Sequence, residues 1–178
     1  MDAELQDILR DDYLGDVTAL DLDELRARRT TCQAVETQLS YLRRLVQGYH
    51  DITTGELTRR REGGDPSDLS ALVERLPQIL SDRVHAPGTG HLPQHLQPGD
   101  VTGRLADQLA GLLTDTELDR PDQLSDQRLQ KAGERLEALE QEVSSLRRAL
   151  FNRIDSVQNE LARRYRTGEA TLDLPEPA

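Results

Sequence analysis

The sequence predicts an all-α protein built on two long helices that pair as a coiled coil. Three observations predict it. Sliding the chain against itself by 104 places lays Glu36–Asp51, ETQLSYLRRLVQGYHD, on Glu140–Asp155, EQEVSSLRRALFNRID. Gly and Pro gather in the middle, so that both flanks are rich in Leu, Glu, Arg, Gln and Ala, which favour helix. Apolar residues make up only 35%, with one Phe and no Trp, a supply that suits a narrow helical seam better than a thick core.

The repeat is specific in detail. Glu36 falls on Glu140, Ser40 on Ser144, Arg43 on Arg147, Arg44 on Arg148 and Asp51 on Asp155. At the same offset Leu20 meets Leu124, Leu25 meets Leu129, Leu57 meets Leu161, and Arg59-Arg60 meet Arg163-Arg164. Two helices built to one plan follow from it.

The elements read as follows, within a single helical domain spanning 1–178. Leu5, Ile8 and Leu9 make a short amphipathic stretch near the start, suited either to packing on the main helices or to engaging a partner. Asp21 and Glu24 form a capping box with Leu20 as its hydrophobic staple, so the first long helix is expected over 21–61. With Cys32 at heptad position a, Leu39 and Val46 follow at a, and Val35, Leu42 and Tyr49 fall at d. Gly63-Gly64 ends the pattern.

A connector over 65–120 comes next. Asp65-Pro66 opens a short helix with Leu69, Leu72, Val73 and Leu76 on one face, interrupted by Pro77. Residues 84–100 read as a flexible connection, and a second short helix near 102–114 carries Leu105, Leu109, Leu112 and Leu113. The second long helix, within 121–166, has Ser125 as its cap. Leu136, Val143, Leu150 and Val157 lie at a, and Leu139 and Leu146 at d; Arg153 breaks the seam beside Ile154. Residues 167–178 read as a loose tail.

In both copies Glu, Ser, Arg and Asp recur at relative positions 0, 4, 7 and 15, a stripe beside the a side of the seam. In an antiparallel pair such stripes meet along one side; in a parallel pair they lie on opposite sides. The antiparallel arrangement therefore makes one composite surface with pseudo-two-fold symmetry. Arginine's fork matches the O6/N7 edge of guanine, carboxylates accept from guanine's Watson–Crick donors, and serines and arginines answer phosphate. A guanine nucleotide suits this chemistry. Solvated charges and interhelical salt bridges on a duplicated hairpin are the competing explanation.

The spacing E-x3-S-x2-R-x3-Q-x3-D resembles the cyclic-di-GMP-binding signature of the RsiG family of anti-sigma factors. Glu36, Ser40, Arg43, Gln47 and Asp51 match every position; Glu140, Ser144, Arg147 and Asp155 match the second time, with Phe151 in place of Gln. Arg44, Arg148 and Phe151 lie beside the motif residues. The resemblance implies an antiparallel coiled coil holding a dimer of cyclic-di-GMP, two molecules, against the paired motifs. It also implies that the liganded protein sequesters a flagellar-type, WhiG-like sigma factor and so represses its sporulation genes.

Other chemistry finds little support. A net charge of −11 argues against direct DNA binding but is compatible with a basic protein partner. His85, His91 and His95 sit in or beside the connection without metal-ligand spacing, and Cys32, the single cysteine, suits a small buried hydrophobe. No catalytic motif is present, so an enzyme is not expected. No apolar run reaches 18 residues, and the acidic start is unlike a signal peptide; a cytoplasmic protein without a membrane span is expected. A cyclic-di-GMP sensor with another target and a coiled-coil adaptor without nucleotide are the rival functions.

Overall fold

The computed structural model describes residues 2–63 and 103–170. The expected helix after Asp65-Pro66, the connection with its three histidines and the tail beyond residue 170 lie outside the described residues. Every element within them is helical: α1 (Asp2–Leu9), α2 (Leu22–Arg61), α3 (Arg104–Thr116) and α4 (Asp126–Thr167), with a short 3-10 turn (Pro121–Gln123) before α4.

Both long helices start where local chemistry dictates. Asp21 Oδ1 accepts from the Glu24 N–H at 2.7 Å, while Glu24 Oε2 accepts from the Asp21 N–H at 3.1 Å, which closes the expected capping box. Ser125 Oγ accepts from the Arg128 N–H at 3.3 Å. Asp23 and Glu24 lie in the first turn of α2 and Arg59, Arg60 and Arg61 in its last, as the helix dipole favours. Beyond the two C-termini stand Gly63 and Gly168, each at φ 77°, where a side chain would be strained.

The chain divides into two compact units. The first comprises Met1–Leu39 and Ser145–Ala178, the second Ser40–Ser144. Unit 1 contains α1, the N-terminal part of α2 and the C-terminal part of α4. Leu5 and Ile8 of α1 are buried, as are Leu25, Cys32, Val35 and Leu39 of α2 and Leu150, Ile154, Val157 and Leu161 of α4. Leu14, Val17 and Leu20, between α1 and α2, pack on the cluster of Leu25, Val157 and Leu161. Arg153, which interrupts the heptad pattern, donates to the Leu9 carbonyl at 2.8 Å and so ties α4 to the end of α1.

Unit 2 has the same composition of parts: α3, the N-terminal part of α4 and the C-terminal part of α2. Leu105, Leu109 and Leu112 of α3 are buried, together with Leu42 and Val46 of α2 and Leu129, Ala132, Leu136, Leu139 and Val143 of α4. The pairing runs antiparallel in both units. Arg26 meets Tyr165 and Glu36 meets Arg147 in unit 1; Arg43 meets Glu140 and Arg60 meets Asp126 in unit 2. The all-α class and the antiparallel coiled-coil pairing are therefore borne out.

The repeat reaches further than the long helices. At the offset of 104, Leu5 corresponds to Leu109 and Ile8 to Leu112, so α1 and α3 are counterparts that bury equivalent residues. The structure shows one of the two uses open to α1, packing on the long helices.

Candidate functional site

Each unit joins residues of both motif copies. In unit 2 the Glu140 carboxylate is the focus: its Oε1 accepts from Arg43 Nε at 2.8 Å, Gln47 Nε2 at 2.9 Å and Ser144 Oγ at 3.0 Å. The spacing of α2 explains the convergence, because Arg43 and Gln47 are one turn apart on one face and Ser144 follows Glu140 by one turn on α4. Burial pushes the Glu140 carboxyl up, but the hydrogen bonds from Arg43, Ser144 and Gln47 outweigh it and hold the group below its ordinary value. The Glu is thus kept ionised. Ser40 and Asp51 are half-buried on α2, Asp51 with an oxygen 3.9 Å from His50 Nδ1.

In unit 1 the roles of the helices are exchanged. Glu36 of α2 accepts from Arg147 of α4 through Nη2 at 2.9 Å and Nε at 3.1 Å, both onto Oε1. Where unit 2 has Gln47, unit 1 has Phe151, whose ring centroid lies 5.3 Å from the Arg147 guanidinium carbon. Phe151 is 42% exposed, one of two large hydrophobic residues so open among the described residues. Asp155 and Arg148 are exposed on α4, and Arg44 is exposed on α2.

The structure therefore brings Arg43, Gln47, Glu140 and Ser144 together in one unit and Glu36, Arg147 and Phe151 in the other. Each arginine is held by the glutamate of the opposite copy, and the two pairs interconvert under the repeat. This gives two candidate half-sites of one design, each with a cation and an anion fixed side by side. Such a pair can read a planar group that both accepts and donates along its edge, as guanine does.

A second repeated cluster escaped the sequence reading. Glu56 and Glu160, counterparts at the same offset, are buried, and each is gripped by the two arginines that follow it. Arg60 continues from Glu56 to the carbonyls of Leu124, Pro121 and Asp122. Its counterpart Arg164 continues from Glu160 to those of Val17 and Thr18. Val17 and Thr18 are themselves the counterparts of Pro121 and Asp122. The matched Arg-Arg pairs were the available signal; the glutamate three residues ahead of each completes it. These clamps fasten the segment that leads into each long helix and are structural.

Among the described residues there is no group of His, Cys, Asp and Glu suited to a metal ion. No helix among them is long and apolar enough to cross a membrane. A search of curated proteins found no significant match to the chain. The family model for RsiG-like proteins matches residues 11–80 and 100–177, and with most of its length so matched the chain belongs to the RsiG-like family.

Proposed function

We propose that this protein is an anti-sigma factor armed by cyclic-di-GMP: liganded, it sequesters a WhiG-like sigma factor and keeps it from RNA polymerase. Family membership supports the anti-sigma role and speaks for a regulator rather than an enzyme. The observation that carries the ligand reading is the crossed pairing of the motif copies, Arg43 on Glu140 and Arg147 on Glu36. Each half-site takes a guanine, with one cyclic-di-GMP molecule per half-site. The arginine fork addresses O6 and N7, the carboxylate accepts from the ring N–H and amino group, and Ser40, Ser144, Arg44 and Arg148 answer phosphate.

The apolar seam already holds the helices together, so the nucleotide is not needed for folding. It acts by preferring one state. An arginine that leaves its glutamate for a guanine edge alters the polar face of the coil, and a ligand shifts the population toward the sigma-binding form only by binding that form more tightly. The charge of −11 suits a partner with basic surfaces, and meeting a sigma factor places the work in the cytoplasm.

Isothermal calorimetry with cyclic-di-GMP tests the ligand, and capture of a WhiG-like sigma factor with and without nucleotide tests the partner. Heat of binding with nucleotide-dependent capture is the expected result. Binding without capture leaves a sensor with another target, and an absence of heat leaves an adaptor coiled coil.

A further inference from the structure

Phe151 and Gln47 occupy the same place in the two copies, yet they give the half-sites different chemistry. Gln47 hydrogen-bonds the shared glutamate of its half-site. A phenyl ring cannot do that. Had it replaced the amide only to add to the seam, it would be buried as Leu150 and Ile154 beside it are; instead it stands open to solvent. One face of the ring is covered by the Arg147 guanidinium, which is fixed in turn along its edge by Glu36. Ring, guanidinium and carboxylate form a small platform that is in place before any ligand arrives.

We infer that Phe151 makes the two half-sites unequal in base selectivity: unit 1 takes its base by stacking on the Phe151–Arg147 platform and accepts either purine, while unit 2 selects guanine through hydrogen bonds. The inference rests on the cyclic-dinucleotide reading above. Its physical basis is the difference between two kinds of contact. Every base has a π-face, so stacking on an aromatic ring holds a base without reading its edge. An amide together with a carboxylate presents fixed donors and acceptors, which are left unpaired when the 6-oxo group of guanine is replaced by the 6-amino group of adenine. Unit 1 keeps Arg147 and Glu36, which favour guanine, but it makes no demand through an amide, and stacking on the ring holds an adenine that unit 2 has no ring to hold.

The test uses the full chain, titrated by calorimetry with cyclic-di-GMP and with its adenine analogue, cyclic-di-AMP. For the unaltered protein we expect two unequal binding events with the guanine ligand and one with the adenine ligand. Phe151→Gln should weaken the adenine ligand roughly tenfold or more, in line with the worth of one stacked base, and bring the two guanine events closer together. Gln47→Phe should add a second adenine event. Phe151 is exposed and Gln47 is half-buried beside the apolar seam rather than in it, so these variants should keep their helical circular dichroism. Rejection of cyclic-di-AMP by the unaltered protein, or an adenine affinity unchanged in Phe151→Gln, overturns the inference while leaving guanine binding in place. Absence of heat with cyclic-di-GMP is a different pattern, which removes the parent reading and this one with it.

Discussion

Arg147 grips a single oxygen of Glu36 with two of its nitrogens, and both side chains are more than four-fifths buried, at 18% and 16% exposure. The matching pair in unit 2, Arg43 with Glu140, is more open at 35% and 23%. A ligand that engages these arginines must offer at least what the glutamates give. A neutral apolar molecule offers nothing in exchange, whereas a guanine edge or a phosphate replaces a charge-assisted hydrogen bond with another.

From this pairing we expect Arg147→Ala and Arg43→Ala each to weaken cyclic-di-GMP by at least about tenfold, the value of one lost bidentate contact. Helicity should be unchanged, because neither residue belongs to the apolar seam. Arg147→Ala should also cost about 1–2 kcal/mol of stability, since it takes that cation away from a largely buried Glu36 carboxylate. Arg43→Ala should cost less, as its pair is better hydrated. Calorimetry and urea unfolding read the two effects separately, and affinities equal to that of the unaltered protein would remove the roles given to these residues.

The long helices and their caps were legible because they are written in local signals: a heptad seam, a capping box at Asp21 and a serine at Ser125. The antiparallel pairing was legible because only that arrangement brings the two matched stripes together; the bonding of each arginine to the glutamate of the other copy was not. Nor were other features. Leu5, Ile8 and Leu9 show an apolar face but not what covers it, and the contact of Arg153 with the Leu9 carbonyl joins residues far apart in the chain. Glu56 and Glu160 look like surface charges in a heptad reading, since burial of a carboxylate is disfavoured unless cations accompany it. Only the fold shows that Arg59, Arg60, Arg163 and Arg164 turn inward to supply them.

The docking of α1 can be tested through Ile8, which is 1% exposed. Ile8→Ala removes most of a buried side chain and should destabilise by about 2–4 kcal/mol, the usual range for such a truncation. Leu9→Ala, a partly exposed neighbour, should cost less. Thermal melts of the two variants compare them directly, and an Ile8→Ala protein as stable as the unaltered one would mean that α1 contributes no packing energy.

Arg60 should matter more to stability than its neighbour Arg61. Its guanidinium joins Glu56, Asp126 and three carbonyls of the segment entering α4. Arg60→Ala leaves the three carbonyls without this donor and Glu56 with Arg59 alone, so a loss of about 2 kcal/mol is expected. Arg61→Ala, at an exposed position, should stay within about 0.5 kcal/mol. Denaturant titration of both variants checks the contrast, and similar losses in the two would mean that the clamp is decorative.

The same clusters give the protein an acid limit. Hydrogen bonds from Arg163 and then Arg164 hold the Glu160 carboxyl down at about 2, against an ordinary value of 4.5. The folded form therefore binds its proton less readily than the unfolded chain does. The contribution of Glu160 is complete above about pH 4.5 and is lost as the pH falls from there toward 2. Glu56, held low chiefly by Arg59 against the opposing effect of burial, and further by Arg60, adds a loss of the same sign. Glu160→Gln keeps the shape and an acceptor oxygen but cannot ionise. It should melt lower than the unaltered protein at neutral pH, and the gap should narrow steadily below about pH 4.5 as the native glutamate is itself protonated. Melting curves that stay parallel for the two proteins through the acid range would show that the Glu160 charge is not what holds this end of α4.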